Sequence, residues 1–290
     1  MKKTDQNTTM SRQIEKAVIA FMLTYGLHYF AYFLRARYYT LLEKVNDPGL
    51  AHVLLYMGHL VILTVFLLYA LAVRSDRRYI LSFAKGKLSD NLKYGLFGGL
   101  FGFTLMGICI FAAFINGNIS LSASQSLNPI LFVFAFFAVL IQASTEEIEA
   151  RGFLFGKMID EGVSVKAAVL ISSFFFAYLH AAKPGFGVLP LLTLFVVGIE
   201  YALSVHYFKT VWFCCGAHLM WNFTQDFIFG LPNSGTPSSI SIFSAVANGS
   251  GFFYDQTFGI EGSAMSVIIN ILACILIILI GKKFRKDPKL

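Results

Sequence analysis

Residues 127–157 read LNPILFVFAFFAVLIQASTEEIEARGFLFGK. From Ile130 to Ile141 every side chain is apolar, and the whole stretch exceeds the roughly 17–25 residues that carry a helix across a bilayer. Near its C-terminal end, however, stand Glu146, Glu147, Glu149 and Arg151. Ionisable groups at bilayer depth are costly, so they are kept where they pair with one another or serve a site. This one stretch therefore points both to a membrane protein and to the place of its chemistry.

Two further polar pairs interrupt apolar segments downstream, Phe176 with His180 and His218 with Asn222. In each pair, as in Glu147 and Arg151, the members are four residues apart, which sets them on one face of a helix. Around these pairs the composition is that of an integral membrane protein. Of 290 residues, 57% are hydrophobic and 13% charged, against about 45–50% and 25% in soluble chains. Windows long enough to span lie near 17–34, 50–73, 92–115, 127–157, 165–181, 187–207, 210–229 and 264–281. The expected fold is all-α, a polytopic membrane protein with about eight transmembrane helices. It divides into a tail and three helices over 1–126, a polar-cluster core over 127–229, and a connection, last helix and basic tail over 230–290.

The net charge of +7 does not indicate a nucleic-acid partner, because the charges are segregated. With the N-terminus inside, eighteen Lys and Arg fall on the inner side and four outside (Arg35, Arg37, Lys44, Lys183), Arg151 lying within a span. This is the positive-inside pattern with both termini cytoplasmic, and the basic stretch 74–93 suits anionic headgroups. The first apolar run lacks a small-residue cleavage site and reads as a retained span. Residues 1–16 read as a mobile polar tail. The four cysteines all fall in spans without C-x-x-C pairs and read as buried and unreactive. Gly95, Gly98, Gly99 and Gly102 give overlapping G-x-x-x-G spacings that let a neighbouring helix come close. Residues 230–263, rich in Ser, Gly and Asn and acidic at Asp255 and Glu261, form an outer connection long enough to bind or cover something.

Each polar cluster has a plain and a chemical reading. Glu147 and Arg151 can pair, while Glu146, about 100° round the helix, can face a cavity, where a desolvated carboxylate can act as a general base; the plain reading is a helix end emerging into water. His180 by itself reads as an interfacial or core residue. His218 and Asn222 can hold a developing oxyanion or simply bond between helices. Depth favours convergence: at 1.5 Å per residue from the inner ends of their spans, Glu146, His180, His218 and Asn222 lie roughly 16, 22, 12 and 18 Å in. The other histidines, His28, His52, His59 and His206, read as packing or interfacial residues.

The three clusters resemble, in order, the E-E-x-x-x-R, F-x-x-x-H and H-x-x-x-N motifs of the CAAX-protease and bacteriocin-processing (CPBP, or Abi) family of intramembrane proteases. The resemblance covers about 127–229, with Phe258–Ser263 as a looser feature beyond. It implies that Glu146 activates a water with help from His180, that His218 and Asn222 hold the oxyanion, and that Glu147 with Arg151 positions the site. It leaves Phe176 to pack behind His180, and Glu149 is a third carboxylate with no evident partner. Glu146, His180 and His218 could alternatively form a zinc set with a bound water, although H-E-x-x-H is absent. A metal-free mechanism with no cofactor is the reading taken here. The resemblance further implies a peptide or a lipidated or membrane-associated protein as substrate, and the layout suggests a bacterial plasma membrane. Its rivals are a non-enzymatic bacteriocin-immunity or transport protein, which would lack the repeated halves many transporters show, and a scaffold, which would leave the polar groups unexplained.

Overall fold

The computed structural model describes residues 2–125 and 127–286, with side chains described from residue 10 to residue 283. Residue 1 and residues 287–290, parts of the expected tails, lie outside the described residues. Among the described residues there are nine longer helices: α1 (Lys2–Leu42), α2 (Pro48–Met57), α3 (His59–Ala72), α4 (Leu88–Ile115), α5 (Pro129–Glu147), α6 (Val165–Tyr178), α7 (Val188–Phe208), α8 (Trp212–Phe223) and α9 (Ala264–Lys286). Two short strands, β1 (Ile119–Ala123) and β2 (Phe243–Ala247), pair antiparallel with Ile119 opposite Ala247.

Six helical stretches are long and apolar enough to cross a membrane among the described residues: 10–42, 48–72, 88–115, 129–160, 188–208 and 264–283. The architecture is thus that of an all-α multi-pass membrane protein. The fifth and seventh expected spans are helices, but at 14 and 12 residues they fall short of that length. Their α-helical pattern ends close to the polar groups. α6 stops at Tyr178, ahead of His180, and α8 passes at Thr224 into a π-helical turn, Thr224–Ile228. The N-terminal segment also differs from expectation. Residues 10–16 continue α1 as helix, because Lys2–Leu42 contains no proline and a single glycine, Gly26. Lys16 Nζ moreover donates to the Glu161 carbonyl at 2.6 Å.

Each helix buries the stripe that its sequence provides. On α1 the buried residues Ala17, Ala20, Thr24, Ala31 and Arg35 recur at helical spacing, while Ile19, Met22, Phe30 and Phe33 face outward. α4 buries Gly98, Gly99, Gly102, Met106, Cys109 and Ala113 and leaves Leu96, Phe97, Leu100 and Phe111 exposed. The glycine face sets α4 directly against α8: a Cβ on Gly98 or Gly102 would run into the carbonyl of Phe213 or Ala217. Close approach through small residues substitutes for the hydrophobic drive that lipid does not supply. All four cysteines are free and buried, and Glu261, far from being an exposed acidic group, accepts from Trp221 Nε1 at 3.2 Å and Gln225 Nε2 at 2.7 Å.

Candidate active site

After Glu147 the α5 rod changes to a π-helical segment, Ile148–Phe155, and then resumes as helix through Asp160. The wider π turn recurs at functional sites because it re-aims side chains without ending the helix. Glu147 and Arg151 are wholly buried, with Arg151 Nη1 3.1 Å from Glu147 Oε1. Arg151 Nη2 donates to the Gly198 carbonyl at 3.3 Å, and the guanidinium lies 4.3 Å above the Phe176 ring and 5.3 Å from that of Tyr201. A charge this deep is tolerable because it is paired, bonded to backbone and stacked. Glu147 Oε1 is shared with His218 Nδ1 at 2.9 Å, so the first and third motifs meet at one oxygen. The helix-end reading of this cluster is thereby corrected, since Glu149 and Arg151 are buried, and Glu149 has a partner in His28 at 2.8 Å.

Glu146 faces the other way. It lines a cavity of about 590 Å³ together with His180 and Asn222. Its Oε1 accepts from Gln142 Nε2 at 2.8 Å and lies 3.2 Å from His59 Nε2. Its Oε2 is buried with no hydrogen-bond partner among the described residues and stands 3.9 Å from His218 Nε2. Asn222 Nδ2 donates to Gln142 Oε1 at 3.0 Å, so one glutamine joins the third motif to the first. The structure thus brings Glu146, His180 and Asn222 to one cavity, with His218 against Glu146 and joined through Glu147 to Arg151.

Hydrogen bonds restrict what each imidazole can do. His180 Nδ1 is 3.1 Å from the Phe176 carbonyl; a carbonyl only accepts, so Nδ1 carries the proton and Nε2 of the neutral ring has a lone pair. His218 Nδ1 likewise faces a carboxylate, so donation from its Nε2 as well requires the doubly protonated ring. His59 Nδ1 has two neighbours with opposite demands, Arg35 Nη2 at 3.2 Å and the Tyr56 carbonyl at 3.0 Å. With Glu146 ionised, His59 donates from Nε2 and Nδ1 accepts from Arg35. With Glu146 protonated, the ring can reverse, donating from Nδ1 to Tyr56.

Sequence reasoning missed Gln142, His59 and Arg35. His28 and His52, read from the sequence as packing or interfacial residues, are each bonded to a buried carboxylate, His52 to Asp226 at 2.8 Å. The usable signal was that these lone polar residues also sit in otherwise apolar helices. Among the described residues, no group of three or more His, Cys, Asp or Glu is arranged to hold a metal ion.

The fold and this site define a multi-pass membrane protein with a carboxylate and histidines around a cavity between helices. Residues 128–224 match the family described as Rce1-like, type II CAAX prenyl endopeptidase. No curated protein and no solved structure matches the chain. The chain is similar to that endopeptidase family over the segment that holds all three motifs.

Proposed function

We propose that the protein is an intramembrane endopeptidase that hydrolyses a peptide bond of a membrane-associated protein or peptide with a water activated at Glu146. The observation that carries this reading is the state of Glu146: Oε1 is held by Gln142 and His59, while Oε2 is buried without a partner among the described residues, on a side chain that lines the cavity. A water bound there gives its proton to Glu146, with the His180 lone pair as the assisting acceptor. Its oxygen then adds to the scissile carbonyl carbon. The negative charge that develops on the carbonyl oxygen is held by the Asn222 amide and by His218. Collapse breaks the C–N bond, and the proton taken from water passes to the leaving amine. Glu147 and Arg151 fix His218, and Phe176 packs against both the His180 and His218 rings at 5.2 and 5.7 Å.

Glu146→Gln tests the role directly. It preserves size and hydrogen bonding but removes the base, so cleavage by purified protein is expected to vanish while accumulation in the membrane is unchanged. Retained cleavage removes Glu146 from the role. A binding or immunity protein, by contrast, would keep its phenotype with Gln. The proposed reaction uses no metal: the H-E-x-x-H helix of zinc proteases is absent from the sequence, and an Asn beside His218 suits an oxyanion donor better than a zinc ligand. Stoichiometric zinc in the purified protein, together with loss of activity to a tight chelator, would overturn it. The charge pattern supports an orientation with both termini cytoplasmic, and the compact, loop-poor layout a bacterial plasma membrane.

A further inference from the structure

The bundle has two unlike faces. On the face toward which α1 begins, Lys16 binds the Glu161 carbonyl, Arg78 pairs with Asp160 at 3.2 Å and Lys157 with Asp76 at 2.9 Å. Trp212 Nε1 donates to the Phe83 carbonyl at 2.7 Å on the same face, and Gly281 of α9 packs on Tyr207. These contacts draw the start of α1 and the connections at 73–87, 157–164 and 209–211 into one surface, together with the end of α9. Along the sequence, eighteen of the 23 Lys and Arg fall in these segments, in the first two turns of α4 and α6 that leave them, or in the C-terminal tail.

The cavity opens at the other end. α6 leaves the basic face at Val165 and reaches the cavity at Tyr178 after 14 residues, about 21 Å at helical rise. The mouth is built from the loops beyond: Lys183 Nζ donates to Thr236 Oγ1 at 3.1 Å, Asn233 Nδ2 to Tyr56 Oη at 2.8 Å, and Gly235 N to the Phe258 carbonyl at 3.2 Å. Short, charge-rich connections orient a membrane protein with Lys and Arg toward the cytoplasm. An eighteen-to-four division between the ends leaves the cavity mouth on the opposite side.

We infer that the catalytic cavity opens to the extracytoplasmic side, so that its substrate is a peptide segment of a polypeptide already exported across or inserted into the membrane, and not a tail confined to the cytoplasm. This rests on reading the cavity as the active site, but its geometry can be tested separately. Ser244 on β2, at the cavity end, and Ser89 at the start of α4, at the basic end, are both exposed. The native cysteines are buried, so Ser244→Cys and Ser89→Cys in the full chain each introduce one reporting thiol. With a membrane-impermeant maleimide on intact cells, Ser244→Cys is expected to label and Ser89→Cys only after permeabilisation. The reverse pattern, or equal labelling of both in intact cells, overturns the inference. Impermeant quenched fluorescent peptides added to intact cells should be cut by the parent chain and not by Glu146→Gln; cutting only after permeabilisation also overturns it. Peptides cut under neither condition, with labelling as expected, would overturn the protease reading and with it the substrate assignment, leaving the orientation standing.

Discussion

Glu146 is held by side chains from separate helices: Gln142 one turn earlier on α5, His59 from α3, and Asn222 of α8 through Gln142. His59 matters most among the residues outside the motifs, because its two ring nitrogens can follow the protonation of Glu146. His59→Gln can still hydrogen-bond Glu146 but cannot make that exchange. Its kcat should fall at least about tenfold, at the low side of the ~10²–10⁴ that positioned proton transfer contributes. The pH profile should shift with it while KM stays close to that of the parent; an unmoved profile would make His59 a structural neighbour only. His218→Ala or Asn222→Ala should each lower kcat by roughly 10²–10³ if both supply oxyanion donors, and an unchanged rate for either removes it from that role. At this scale the motif residues were legible because a spacing of four in an apolar run is conspicuous. His59 was not legible, since a single imidazole in α3 gives no periodic signal. Its partner Arg35 lies 24 positions earlier, in another helix.

Elements place these residues through backbone contact more than through side-chain bulk. α8 carries His218 and Asn222, and its position is set by the glycine face of α4. Gly102→Leu is therefore expected to push α8 away, costing about 1–3 kcal/mol as overpacking does and abolishing cleavage even where the protein accumulates. Gly107→Ala, on the same helix but with open space around the added Cβ, should leave both thermal stability in detergent and cleavage unchanged. Equal effects of the two substitutions would remove the α4–α8 seam as the cause. The G-x-x-x-G spacing showed in the sequence that some helix would come close, but not which one, because contact across more than a hundred residues has no local signature. The helical rods themselves were readable from apolar length. The two that proved short, α6 and α8, were overestimated because an average over an apolar window hides the polar residues His180 and Thr224–Asp226, where the helical hydrogen bonding changes.

Across the whole molecule, the family match covers 128–224, but the cavity does not. Arg35, His59 and the tyrosines Tyr25, Tyr29, Tyr32 and Tyr39 line it from the N-terminal helices, and residues 233–237 line it from the later connection. Residues 127–229 produced without 1–126 should accordingly show no cleavage in detergent or membranes, and co-production with 1–126 as a second chain should restore part of it. Activity of the isolated segment would show that the outer walls are dispensable. The sequence marked this core because its chemistry recurs in a known order, whereas the walls are apolar helices whose contribution exists only once they are folded together. The β1–β2 ribbon has its own consequence for the assembled chain. It clasps residues 119–123 to 243–247, on either side of the turn at Gly162, and the α4–α8 seam straddles the same point. A backbone nick at that turn would therefore sever connectivity without releasing either fragment, so a chain divided there should reconstitute from its two halves.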